Sequence, residues 1–421
     1  MTKPWQALEQ YDPEIYSCIE LELKRQVEGL ELIASENFAT TEVITSMANV
    51  MCNKYAEGRP NKRYYGGCEH VDKAENIAIE RVCKLFDCNY ANVQPHSGAQ
   101  ANAAVLLALC EPGSKILGLD LSHGGHLTHG SPVNFSGIYY KAHSYSLNVE
   151  TETLDYEAIL KQALELKPKL IIAGASAYPR AIDFAKFRKI ADEVGAYLLA
   201  DVSHIAGLIV TGLHQNPFPH AHVVTSTTHK TLRGPRGGVI LWSDKELTAR
   251  LNKGVFPGIQ GGPLEHIIAS KAVAFKKAGE PEFVSYQKQT IENTFVLGNE
   301  LKSLGFKVVS GGSDNHLLLI DLCKSHPETT GKTAENALEL AGITVNKNTV
   351  PGEKRSPFVT SGIRVGTPAL TSRKMGSKEM KIIASFIKEA IDHSGNESHL
   401  LKLKEKVKQL ACAFPLYPEW S

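Results

Sequence analysis

Apolar positions along the chain follow two rhythms. Between Val71 and Ser243, short runs that are apolar throughout (Lys115–Leu119, Lys169–Gly174, Ala196–Ala200, His222–Ser226 and Gly238–Trp242) are separated by amphipathic segments of helix length. Strands buried on both faces need no polar alternation, and strands separated by helices join as a mainly parallel α/β sheet covered on both sides. Near the start, Ile15, Tyr16, Ile19, Leu21, Leu23 and Val27 recur at helical spacing, and Leu264–Leu304 reads as one long helical stretch. After it, Phe306–Ser310, His316–Asp321, Ile343–Val345 and Gly362–Val365 read as strands of a smaller α+β unit closed by two basic amphipathic helices. The pattern predicts an N-terminal helical arm over residues 1–59, a large domain over 60–284 and a small C-terminal domain over 285–421.

Composition narrows the class. The 421 residues are 43% hydrophobic and 22% charged, enough for a sizeable core. Lysine and arginine total 46 against 45 acidic residues, which gives no reason to expect nucleic acid or an anionic membrane as partner. The eight cysteines are scattered without a CxxC pair and fit reduced thiols. With no signal or transit pattern at Met1–Gln6 and no apolar run near the ~18 residues that span a bilayer, a cytoplasmic enzyme-sized protein is expected.

The candidate chemistry centres on Lys230, delivered by a β-branched strand into a turn rich in glycine and arginine. An ammonium is costly to desolvate, and desolvation makes the amine a nucleophile able to form a Schiff base. Asp201 ends the strand before it, with His204 close behind. A lysine for an aldehyde and an aspartate for a ring nitrogen suit a pyridinium cofactor, pyridoxal phosphate (PLP). Ser97 and Gly98 open a strongly helical segment whose first amides make either a phosphate site or a plain N-cap. His123, His126 and His129 share a loop with a glycine pair; a metal site is one reading, and a histidine stacked on a flat ring is the other. Asn53–Gly67 combines Tyr55, Glu57, Arg63, Tyr64 and Tyr65 as a solvated loop or as a lid with an acid/base group. Arg364 lies in an apolar strand, where it needs an anion: a structural salt bridge or a substrate carboxylate. No Walker A motif and no GxGxxG with an acidic follow-up is present.

Together Glu31–Asn37, Asn53–Gly58, Arg63–Gly67, Val93–Gly98, His123–Asn134, Thr225–Gly238, Pro257–Pro263 and Ser361–Pro368 closely resemble the serine hydroxymethyltransferases. These are fold-type I PLP enzymes with a large seven-stranded domain and a smaller C-terminal one. The resemblance implies reversible one-carbon transfer between serine and glycine with tetrahydrofolate as carrier. It implies that Lys230 forms the Schiff base, that Asp201 pairs with the ring nitrogen, and that His126 and His204 contact the cofactor from opposite sides. Ser97, Gly98, Ala99 and His229 would hold the phosphate, with Ser176 and Thr227 framing the ring. Ala99 stands where other members carry serine. Arg364, Ser35 and Tyr65 would bind the substrate carboxylate, and Glu57 would move the proton near the serine hydroxyl. Tyr64, Leu121, Gly125, Leu127, Asn348, Ser356, Pro357 and Phe358 match folate-contacting segments. Tyr55, Glu57, Tyr65 and Gly261–Gly262 would reach the site from the other subunit of a homodimer. A folate-independent aldolase of β-hydroxy amino acids and a non-catalytic scaffold protein are the competing expectations.

Overall fold

The structure, a computed structural model, describes residues 2–420. It divides into two compact units, Glu42–Gln287 and a second composed of Met1–Thr41 with Lys288–Ser421. The first 41 residues therefore group with the C-terminal part, where the sequence pattern separated them as an arm.

The larger unit is built on seven strands: β1 (Tyr90–Asn92), β2 (Lys115–Leu119), β3 (Lys141–Tyr145), β4 (Leu170–Gly174), β5 (Tyr197–Asp201), β6 (Val223–Thr227) and β7 (Gly238–Trp242). Their order is β1-β7-β6-β5-β4-β2-β3, and β7 alone runs against the rest. All five residues of β4, β6 and β7 are buried, as the unbroken apolar runs required. The strands missed in the sequence, β1 and β3, are the two sheet edges. An edge strand is covered less completely, and β3 accordingly alternates exposed, half-buried and buried positions. Val105, Leu106, Ile116, Ile172, Leu199, Ile240 and Trp242 form one core cluster on a sheet face, each large aliphatic side chain contributing about 1.5–3 kcal/mol by burial.

The sheet reverses its order of addition at β2: β3 adds outside it, and β4 returns to its other side. In open α/β sheets ligands settle beyond the carboxyl ends of strands at such a switch point. The loop of His126 follows β2, Ala175 and Ser176 follow β4, Asp201 ends β5 and Thr227 ends β6.

In the second unit, β8 (Lys307–Val308), β9 (Leu317–Asp321), β10 (Asn346–Asn348) and β11 (Gly362–Gly366) form an antiparallel sheet in the order β8-β9-β11-β10. Leu30–Glu31 pairs in parallel with Ile343–Thr344, and Leu30 and Leu32 sit in the core with Leu403 and Val407. Arg373 adds a polar tie by donating to the carbonyls of Gln26, Val27, Gly29, Ala411 and Phe414. Two-residue pairing of this kind leaves no periodic signal, so the arm looked independent in sequence. The helix Pro13–Glu28 is present, with Ile15 and Leu21 exposed. The expected stretch Leu264–Leu304 is two helices, Glu265–Ala278 and Pro281–Ser303, broken where Gly279 caps the first and Pro281 opens the second. Among the described residues no helix is long and apolar enough to cross a membrane.

Candidate active site

Lys230 is placed by a tightly tied turn. Thr228 donates to the Gly237 carbonyl and accepts from Gly234 N–H, and Arg233 N–H returns to the Lys230 carbonyl at 3.0 Å. The next residue, Thr231, accepts from Gly207 N–H and donates to the His204 carbonyl, while its own carbonyl takes a hydrogen from Gln287 Nε2 at 2.7 Å. Gly207 permits that approach, because a Cβ there would lie 2.4 Å from the Thr231 oxygen. Lys230 is thus held at both ends of its turn and is 9% exposed.

It lines one recess of roughly 300 Å³ together with Gly98, Ala99, His126, His129, Ala175, Ser176, Asp201, Ser203, His204 and Thr227. A larger depression of roughly 720 Å³ is lined by Ser114, Lys115, Pro168, Lys169 and Gly195. These residues lie at the amino ends of the strands, away from the switch point, so the smaller recess is the candidate site.

Asp201 anchors its electrostatics. Burial opposes a carboxylate, but His129 Nε2 at 3.1 Å of Oδ2 and the Ser203 hydroxyl at 2.6 Å of Oδ1 outweigh it, holding the group far below the usual carboxylate range. Asn102 Nδ2 adds a bond to Oδ2 at 2.8 Å, and Ser203 N–H one to Oδ1 at 3.1 Å. Asn102 is itself oriented: its carbonyl accepts from Thr225 Oγ1 at 2.6 Å, and its amide also donates to Thr128 Oγ1. Thr128 passes the order on to His126, whose Nδ1 lies 2.8 Å from Thr128 Oγ1 and accepts from Thr128 N–H. Burial pushes His126 down to about 4, so near neutrality its ring is uncharged beside Asp201.

Gly98 and Ala99 line the recess at the start of the helix Gly98–Leu109, which Ser97 caps, its hydroxyl accepting Gln100 N–H at 3.1 Å. The first amides of a helix lack intrahelical acceptors and favour an anion. A Cβ on Gly98 would come within 2.6 Å of Thr227 Cγ2, so only glycine leaves that space open. His229 is adjacent to Lys230 but outside the lining; burial lowers it to about 3, and its Nδ1 is buried without a hydrogen-bond partner.

The other expected residues fall elsewhere. Tyr55 donates to Glu57 Oε1 at 3.3 Å and meets Tyr65 edge-on at 5.2 Å; Gly261 and Gly262 abut this group. The loop is no loose surface segment. Arg63, 3% exposed in its side chain, pairs with Asp72 at 2.8 Å and Glu75 at 2.6 Å and donates to the Ala56 and Gly58 carbonyls. Its tyrosines nevertheless point outward, Tyr55 being 54%, Tyr64 75% and Tyr65 48% exposed, and none lines the Lys230 recess. Leu121 and Leu127 are exposed on either side of the buried Gly125. Of the three loop histidines, His123 accepts Leu147 N–H and the other two serve the Asp201 network, so each ring has a protein partner.

Within the second unit Arg364 is 9% exposed, and among its partners are the uncharged Asn346 Oδ1 at 3.1 Å and Ser35 Oγ at 3.4 Å. Burial pulls it down to about 10. Asn348 ends β10, and Phe358 follows Ser356 and Pro357 in a loop, 81% exposed.

The donor set fits PLP. An amine, an ionised carboxylate, a neutral ring and a helix N-terminus surround one recess, each opposite in character to one part of that cofactor. With the seven-stranded sheet they define a fold-type I PLP-dependent enzyme of the transferase kind. The family model described as serine hydroxymethyltransferase matches residues 8–387, and the chain belongs to that family. The family is PLP-dependent and uses tetrahydrofolate.

Asn102, Thr128, His129, Ser203 and Thr225 were not singled out in the sequence as supports of Asp201. The only trace was His129, read as one of three possible metal ligands.

Proposed function

We propose that the protein transfers the hydroxymethyl carbon of serine reversibly to tetrahydrofolate, giving glycine and 5,10-methylenetetrahydrofolate, with Lys230 as the Schiff-base amine. The observation that carries this reading is the grouping of Lys230, ionised Asp201 and neutral His126 around one recess in a chain of this family.

Each residue has a defined task. Asp201 would supply a fixed negative charge to the ring nitrogen, and the His129, Asn102 and Ser203 donors hold that charge in place without reorganisation. His126, uncharged near neutrality, would stack on the ring and exclude water. Ser97, Gly98, Ala99 and His229 would hold the phosphate, Ser176 and Thr227 would frame the ring, and His204 would face it from the side opposite His126. PLP, when bound, supplies an electron sink for the pair left at Cα. Arg364, aided by Ser35 and Tyr65, takes the serine carboxylate in a fixed orientation, which selects the bond to be broken. Glu57 accepts the hydroxyl proton and returns one to product. The folate would be met by Leu121, Leu127 and Phe358, each an exposed apolar side chain, and by Tyr64, Gly125, Asn348, Ser356 and Pro357, as the family resemblance assigns them.

Tyr55, Glu57 and Tyr65 stand outside the Lys230 recess of their own chain, which supports a homodimer that exchanges them together with Gly262. Serine turnover measured with and without tetrahydrofolate tests the function. Glycine formation that depends on the folate supports hydroxymethyl transfer; cleavage at the same rate without it would make the protein an aldolase.

A further inference from the structure

A second polar cluster lies buried in the larger unit, next to the recess but outside its lining. Its centre is Lys271, on the helix Glu265–Ala278 and 1% exposed. The ammonium donates to three backbone carbonyls, Val93 at 2.7 Å, Pro95 at 3.0 Å and Gly238 at 2.9 Å. Three acceptors match the three N–H bonds of the protonated form; a neutral amine could serve only two. Burial pulls Lys271 down to about 7, against the opposing pull of Glu75 and Glu265, which are 0% and 1% exposed; burial and Glu75 push Glu265 itself up to about 8, so Glu75 is the principal counter-charge. Arg63 joins the two carboxylates at 2.6 and 3.3 Å.

Burying an ammonium is expensive, and an apolar side chain of similar volume commonly gives equal stability. What the three carbonyls have in common gives Lys271 its role. Val93 and Pro95 belong to the segment that leads from β1 into the helix N-terminus at Ser97–Ala99, and Gly238 begins β7. Gly238 N–H also donates to the Pro95 carbonyl at 3.0 Å. The two backbones run so close that a Cβ on Gly238 would lie 2.3 Å from the Ser97 oxygen and 3.0 Å from Gly98 N. Gln94 completes the tie by donating to Glu75 at 2.9 Å and to the Gly58 carbonyl at 2.9 Å.

We propose that Lys271 is a positioning residue for the cofactor phosphate, pinning Val93–Ser97 against Gly238 so that the Gly98 and Ala99 amides are held in their docking geometry. The inference rests on the assignment of that helix N-terminus to the phosphate. Lys271 acts through backbone and touches no ligand.

The test compares full-length wild type, Lys271→Met and Lys271→Arg, each freed of cofactor and titrated with PLP and with pyridoxal, which has the same ring and aldehyde but no phosphate. In the wild type PLP binds far more tightly than pyridoxal. Lys271→Met loses at least about tenfold in PLP affinity with little change for pyridoxal, amide exchange over residues 93–99 accelerates, and Lys271→Arg recovers part of the preference. Should Lys271→Met fail to fold, Lys271→Gln, whose amide can donate at most two hydrogens to the three carbonyls, is read in the same way. An unchanged ratio of PLP to pyridoxal affinity, or equal losses for both, would overturn the positioning role. A wild type without preference for PLP would overturn the phosphate assignment and the inference with it.

Discussion

His129 holds Asp201 through one ring nitrogen while the backbone occupies the other. Its Nδ1 accepts His126 N–H at 3.3 Å, which places the proton on Nε2, 3.1 Å from the Asp201 carboxylate. The histidine is therefore fixed as a donor, and the buried Asp201 at the recess wall stays ionised.

Removal of that donor should be felt by the cofactor. His129→Ala takes away a hydrogen bond to a buried charge, worth about 1.5–3 kcal/mol. PLP affinity is expected to fall by roughly ten- to a hundredfold, and the bound cofactor's spectrum should become pH-sensitive as Asp201 moves upward. A spectral titration checks both; unchanged affinity and a flat pH response would detach His129 from the cofactor.

Lys230→Ala should retain PLP by its ring and phosphate contacts yet lose turnover by about a thousandfold or more. Borohydride should fix the cofactor covalently to wild type and leave it removable from the variant. Full turnover in Lys230→Ala would end the Schiff-base assignment.

Arg364→Ala should raise the serine concentration needed for half-maximal rate by about a hundredfold, the loss of a bidentate charged contact. Steady-state kinetics with serine at saturating folate makes the measurement. An unchanged serine response would return Arg364 to a structural role with Asn346 and Ser35.

The proposed exchange of Glu57 between subunits of a homodimer has a simple signature. Glu57→Gln and Lys230→Ala should each be nearly inactive alone, whereas mixed dimers regain one intact site, restoring roughly a quarter of wild-type activity at equal mixing. Mixtures as inactive as their parents would place Glu57 and Lys230 of one site on the same chain.

Acid should weaken the fold through two histidines. Burial pushes His126 down to about 4 and His229 to about 3, each from 6.5. Between pH 6.5 and 4 the unfolded chain binds protons that the folded chain excludes, so stability is full above that window and falls as pH drops through it. The slope is up to about 1.4 kcal/mol per pH unit for each histidine. Asp201 acts in a lower window, its contribution being lost as pH falls beneath 3.8. Between about pH 7.5 and about pH 5 the urea midpoint of the cofactor-free wild type should fall relative to that of His126→Asn combined with His229→Asn, because the buried Glu31 and Glu265, pushed up to about 8, act in the opposite direction equally in both proteins. An identical slope in that double variant would show that these rings admit protons when folded.

What could be read in the sequence follows from where each signal resides. β4, β5, β6 and β7 announced themselves because a strand buried on both faces leaves an apolar run, while the edge strands β1 and β3 carry none. Lys230 and Asp201 were visible because charged residues at the ends of such runs need a reason. Asn102, Thr128 and Thr225 were not: they are ordinary polar residues whose encounter with Asp201 depends on how β2, β5 and β6 are brought together. Lys271 was hidden for the same reason, since nothing in a helix sequence shows that one lysine points inward at three carbonyls from two other segments.

The central claim is tested most directly by the visible absorption spectrum of the PLP-loaded protein, first with glycine and then with tetrahydrofolate added. Hydroxymethyl transfer requires a long-wavelength band that rises strongly only when folate joins glycine and that Lys230→Ala alters. A band that forms with glycine and ignores folate would contradict that claim and leave an aldolase; no cofactor band after reconstitution would remove the enzyme reading altogether.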